Sequence, residues 1–256
     1  MNQLQFDIHK KFYLHADGWG QGQPRDITKL LDSVITDFYI HLNIGQIKEK
    51  VVYVINSKNK IPPTDYPEII KLNKFNFIYL STSDRLWSQY SYQFAHELCH
   101  HVVDSDFYTK NDKFGWFEEA LCELASIFCV DKMSRTWQTN PPYTNWKGYS
   151  SSLAQCVTDI IEKPENKISK PFKYWLTENL DLLYKDRYKR KENRIVALRL
   201  FPIFKNRPEF WITIQFLKFL KVTDDMTFDN FMDAWMELVP DKLKEFIFEI
   251  KTTLND

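Results

Sequence analysis

His96, Glu97 and His100 form H-E-x-x-H, the spacing in this chain whose residue types point most directly to chemistry. On a helix, residues four apart lie one above the other, so the two imidazoles share a face and can grip one divalent cation. Neutral imidazole suits zinc. A catalytic zinc takes three protein ligands, keeps its fourth position for water and brings the pKa of that water to about 7. Glu97 is placed beside the pair to take the water's proton as general base. A third ligand must then come from elsewhere in the chain.

Glu119 and Glu123 are the candidates. A second helical pattern begins near Gly115, and these two acids stand four residues apart on one of its faces, with Glu118 off that face. At about 100° per residue, Phe117, Leu121, Leu124 and Phe128 form an apolar stripe opposite Glu119. The two carboxylates are therefore expected to point away from the packing side of their helix. In the first helix the stripe is Trp87, Tyr90, Phe94, Leu98 and Val102, and His96 and His100 lie well off it. Each helix thus offers a polar face on which one metal could be shared.

H-E-L-C-H, eighteen further residues, and then Glu119 inside W-F-E-E-A-L-C-E resemble the gluzincin metallopeptidases. Their pattern is H-E-x-x-H, a spacer of about that length, and a Glu often set as W-x-x-E-[GA]. The resemblance covers about Asn76 to Met133. It implies His96, His100 and Glu119 as zinc ligands and Glu97 as catalytic base. It implies Glu123 as an acid hydrogen-bonded to a ligand histidine, an arrangement that fixes the tautomer and raises ligand basicity. It also implies a cleft-lining strand before the first metal helix. Asn76–Thr82 (NFIYLST) stands in that place, where an extended peptide could pair with it as an added edge. No G-x-M-E-N-like signature is present, which disfavours the large aminopeptidases and leaves an endopeptidase or a minimal gluzincin domain.

Cys99, Cys122, Cys129 and Cys156 lack the density and the C-x-x-C spacing of a disulfide scaffold or a thiolate zinc site, and read as reduced thiols. Cys99 and Cys122 adjoin the motif residues. Each projects about 60° or more from the ligand direction of its helix, so both are expected to be small buried hydrophobes. His101 falls on an apolar stripe and is expected to be a satisfied histidine at the edge of the core. His9, His15 and His41 are scattered and carry no motif.

The elements that must position this site follow from periodicity. Strands are expected near Gln5–Ile8 and Phe12–His15, then a Gly18–Gly22 turn and an amphipathic helix from Pro24 to about His41. Val51–Ile55 reads as a buried strand, and Pro62, Pro63 and Pro67 make the following connection irregular. The NFIYLST strand, a helix over Leu86–Val103, a polar surface spacer over Asp104–Phe114 and a helix to about Trp137 complete the metal-binding half. TNPPYTNWKG marks a boundary. Beyond it the pattern is helical near 149–162, 171–189, 191–200, 208–221, 227–238 and 240–252, punctuated by prolines. The expected fold class is α+β: a zincin-like domain with a small mixed sheet and metal-binding helices over 1–138, followed by an all-helical domain over 148–256.

Composition bounds the function. With 256 residues, 44% of them hydrophobic, the chain can bury a real core, and disorder is excluded. Thirty-four basic residues balance thirty-four acidic ones, so no global field draws it to nucleic acid or an anionic membrane. The basic run Lys185–Arg194 is diluted by Asp186 and Glu192 and reads as a solvated helical face. No run of eighteen apolar residues occurs, and MNQLQFDIHKKF lacks a signal-type apolar segment, so a soluble, cytoplasmic protein is expected.

These features predict a zinc-dependent metallopeptidase acting on a peptide or protein, with no nucleic-acid or membrane partner. No histidine follows His101. An oxyanion donor from the C-terminal half must then be a Tyr, an Arg or a backbone N–H. Two other classes use the same residues: a hydrolase of a non-peptide amide in a closed pocket, and a non-catalytic interaction module that keeps zinc as a folding staple. A dry ligand face would speak for the last.

Overall fold

Period-two alternation in short apolar stretches builds one mixed sheet, ordered β1-β2-β3-β5-β4. Its strands are β1 (Gln5–His9), β2 (Phe12–His15), β3 (Val51–Asn56), β4 (Glu68–Lys71) and β5 (Phe75–Leu80). The computed structural model describes residues 5–43, 45, 47, 50–104 and 113–256. Strands β2, β3 and β5 run parallel, with β1 and β4 antiparallel at the two edges. Register pairs Val52 with Asn76 and Val54 with Ile78, so the buried faces of β3 and β5 coincide. The opposite face carries Tyr13, Tyr53 and Phe77 in line across three strands.

A parallel pair needs a crossover. Between β2 and β3 it is α1 (Pro24–Tyr39), which starts on Pro24, where the missing N–H has no helical partner to lose. Ile27, Leu30, Leu31, Val34, Ile35 and Phe38 are all fully buried. At roughly 1.5–3 kcal/mol per side chain, that burial outweighs any difference in helix propensity along α1.

Two expectations need correction at β4. The stretch around Pro62–Pro67 does connect irregularly, but Glu68–Lys71 then forms a strand, and the chain returns through a turn closed by the Leu72 N–H on the Phe75 carbonyl at 2.8 Å. Four residues were too few to show alternation. As a result β5 has β3 on one side and β4 on the other, so its backbone donors and acceptors are shared between two ladders. A peptide cannot add to β5; the edge on that side of the sheet is β4.

After β5 come α2 (Trp87–Val103) and α3 (Gly115–Thr136). Of the spacer predicted between them, residues 105–112 lie outside the described residues. Asn76 places a polar group on the buried face of β5, and His101 of α2 meets it with a ring nitrogen 2.7 Å from its Nδ2. His101 is thus the satisfied core-edge histidine that its position on the stripe predicted. Every residue from Phe114, just before α3, to Asp131 is buried, so the open polar face expected on this helix is absent and Glu118, Glu119, Glu123 and Asp131 are buried with its apolar residues.

The chain forms two compact units. One contains Met1–Ile40, Ile44–His101 and Ala125–Thr158; the other contains His41–Asn43, Val102–Leu124 and Asp159–Asp256. The division runs through α2, α3 and α4 (Tyr149–Glu162), each a continuous helix. In the second unit, Phe114 and Phe117 at the start of α3 pack against Phe231 and Trp235 of α7 (Phe228–Leu238). Helix α8 (Asp241–Asn255) matches its predicted segment closely, α5 (Phe172–Lys185) ends four residues before its predicted end at 189, and α6 (Arg190–Asn206) starts as predicted.

Helix α6 does not stop at Pro202 but continues to Asn206. An internal proline costs about 3 kcal/mol, and the buried Leu200, Phe201 and Phe204 around it offset that loss. The 208–221 segment is a series of 3₁₀ turns, Pro208–Phe219, rather than an α-helix. Among the described residues, no helix is long and apolar enough to cross a membrane.

Candidate metal centre

Helices α2 and α3 are joined by a hydrogen bond from the Ser126 hydroxyl to the Tyr92 carbonyl at 2.9 Å. One turn beyond Tyr92 on α2 is His96; one turn back from Ser126 on α3 is Cys122. Among the described residues, His96, His100 and Cys122 are a group that could hold a metal ion, one possible ligand atom from each lying within 4.8 Å of the others. The two imidazoles cross edge to face, with centroids 5.1 Å apart.

This donor set fits a zinc ion. Zn–N and Zn–S bonds of about 2.0–2.3 Å place tetrahedral ligand atoms about 3.3–3.8 Å apart. Imidazole and thiolate are both donors that zinc favours. His100 is 3% exposed and Cys122 fully buried, while His96 is the partly exposed member of the three. Glu97, on the same helix, is 3% exposed.

The acids of α3 are not on an open polar face. Glu119 is 7% and Glu123 8% exposed, and each meets an arginine. The Arg187 guanidinium is 3.7 Å from a Glu119 carboxylate oxygen, and Arg194 of α6 donates from Nε to Glu123 at 2.5 Å. The Arg187 backbone is fixed by Asn193, whose side-chain amide donates to its carbonyl at 2.6 Å. These two cations belong to the run read from sequence as a solvated face. Lys185, Arg190 and Lys191 are exposed as that reading has it, but Arg187 is only 4% exposed, and it turns inward because buried carboxylates require a countercharge.

Replacing Arg187 by Met keeps much of the volume and removes the charge. Breaking a buried pair from one side costs about 3 kcal/mol or more, so Arg187→Met is expected to lower the stability by that amount, read as a lower denaturation midpoint at an unchanged slope. Arg194→Met is expected to cost about 1 kcal/mol, because its pair is partly solvated. Equal, negligible losses would show that neither arginine holds its acid in solution.

Cys99 and Cys129 are buried in the first unit, where burial first, and then the nearby Asp37 charge, push the Cys129 thiol well up from its ordinary value. Cys99 and Cys122 are both fully buried, as expected of small hydrophobes, and Cys129 is buried as well. Tyr184, one of the tyrosines of the helical half, is pushed up to about 12 by burial and takes a hydrogen bond from the Phe228 backbone N–H. Its hydroxyl is committed to the start of α7.

The sequence identified His96, Glu97, His100, Glu119 and Glu123, and the structure brings the two histidines together. It adds Arg187 and Arg194, set aside in the sequence as part of a solvated face, as the partners of Glu119 and Glu123. A separate small cavity of about 190 Å³, lined by Gln21, Asp26, Arg85, Trp87 and Trp146 among others, contains none of these residues. In comparisons with known proteins, no family model, no curated protein and no solved structure matches this chain.

Proposed function

We propose that the chain is a zinc-dependent hydrolase of peptide bonds, with His96 and His100 holding the metal and Glu97 acting as general base. The observation that carries the reading is the pair of imidazoles one turn apart on α2, with centroids 5.1 Å apart and the buried Glu97 on the same helix. When bound there, zinc would supply Lewis acidity and lower the pKa of a water to about 7. Glu97 would accept the water's proton as the oxygen adds to the amide carbonyl, then pass that proton to the departing nitrogen. The family resemblance takes the third ligand to be Glu119. Arg187 and Arg194 would then hold Glu119 and Glu123 in fixed orientations, as partners of metal ligands commonly do.

A second reading is favoured by burial. Glu97, His100 and Cys122 are nearly or fully inaccessible, as in a closed zinc site that staples a fold. Zinc content and cleavage of a broad peptide library, measured on the purified protein, separate the two. A peptidase contains stoichiometric zinc, and its cleavage stops with a chelator and returns with zinc. Stoichiometric zinc with no cleavage selects the closed site, and absence of zinc overturns both.

A further inference from the structure

We propose that the first unit binds a free α-amino acid in the cavity of about 190 Å³ lined by Asp26, Arg85, Trp87, Trp146 and Tyr149 among others. Its lining residues all belong to that unit. Two charges of opposite sign share this small space, and among the described residues neither Asp26 nor Arg85 is in an ion pair. A ligand that enters without leaving either charge unmatched carries both signs itself. Its carboxylate suits the planar fork of Arg85, and its ammonium suits Asp26. The Tyr143 hydroxyl donates to Asp26, which fixes the carboxylate without neutralising it. Trp87 and Trp146, with ring centroids 5.3 Å apart, and Tyr149, 6.0 Å from Trp146, supply an apolar wall for the ligand's side chain. Drug-sized pockets run to about 300–1,000 Å³; this one is of single amino-acid size.

The elements around the cavity favour the carboxylate end. Asp26 lies in the first turn of α1, Trp87 is the first residue of α2 and Tyr149 the first of α4. Three helix N-termini therefore border the space, each equivalent to roughly half a positive charge, and Arg85 adds a full one against the single negative charge of Asp26. The walls are also tied together before any ligand arrives. The Gln21 N–H donates to an Asp84 carboxylate oxygen at 2.9 Å, and the Asp84 N–H donates to the Trp19 carbonyl at 2.8 Å. Gly22 permits this approach, because a Cβ there would stand 2.5 Å from the Asp84 carbonyl oxygen. Preformed walls lose little freedom on binding.

Isothermal titration calorimetry of the full chain with each standard L-amino acid tests the site. At least one is expected to bind one-to-one with a Kd of about 1 mM or tighter. Its decarboxylated amine and its N-acetyl derivative are expected to bind at least about tenfold more weakly. Arg85 is exposed and Asp26 half-buried, and Asp26→Asn keeps an acceptor for Tyr143, so the far-ultraviolet circular dichroism of Arg85→Met and Asp26→Asn should stay that of the wild type. Each substitution is expected to weaken the amino acid by about tenfold or more. The amine should lose nothing further in Arg85→Met, nor the N-acetyl derivative in Asp26→Asn, since each already lacks the charge that the variant no longer meets. Absence of binding by every amino acid overturns the site. Binding that survives both substitutions at wild-type strength puts the ligand elsewhere on the chain, and an amine that binds as tightly as its amino acid overturns the pairing with Arg85.

Discussion

Glu97→Gln is expected to lower peptide cleavage by about 10²–10⁴-fold, the usual contribution of a positioned general base, while zinc content remains that of the wild type. The substitution keeps shape and volume at a site that is 3% exposed, so neither a cavity nor an overpacked core accompanies it. What it removes is the lone pair that accepts the water's proton. Because that transfer occurs only on the way to the transition state, kcat should fall and KM should change little. Glu97→Asp keeps the carboxylate but draws it back by about one methylene, so it should recover part of the rate. Steady-state kinetics on one cleaved peptide, with metal content measured on the same samples, decide the matter. Wild-type turnover by Glu97→Gln would place the base elsewhere and remove the main reason for reading this motif as catalytic.

The parts of the fold that were readable before the structure are those whose pattern repeats. Six apolar positions in α1 and the stripes of α5, α7 and α8 span several turns each, long enough for a period near 3.6 to emerge. Strand β4 spans four residues after a proline and could not show a period of two. Its absence from the sequence reading misplaced the edge of the sheet, because whether β5 is flanked is decided by long-range pairing alone. Helix α6 runs past Pro202 for a similar reason: the proline's local cost is visible in sequence, and the burial of Phe204 that offsets it is not.

The site divides along the same line. His96, Glu97 and His100 lie within five residues and were readable as a motif. Glu119 and Glu123 were found by spacing, but the environment of their helix was misjudged, since a wheel shows which residues share a face and not how many faces are covered. Arg187 and Arg194 are about seventy residues away from the acids they meet. Nothing local distinguishes an arginine that turns inward from one that is solvated. The one available signal was the pair of acids itself, which needs countercharge once its helix is buried.

Zinc is expected to stabilise the wild-type protein against unfolding, and His100→Ala to lose most of that effect. A ligand that binds only the folded state adds about 4 kcal/mol when its free concentration is a thousand times Kd. Removing even a hydrogen-bond partner of a metal ligand weakens binding by about 10–100-fold, so losing a ligand costs at least the upper figure. A hundredfold loss at fixed free zinc removes about 2.7 kcal/mol of the increment. Denaturation midpoints of apo and zinc-loaded protein measure it directly. His101→Ala is the informative control: His101 is as buried as His100, but its ring bonds Asn76 across the core of the first unit. It should lower the stability of the apo protein and leave the zinc increment whole. If instead His100→Ala kept the increment and His101→Ala lost it, the metal would be held by the face of α2 turned to the sheet, and the H-E-x-x-H reading would have the wrong histidine.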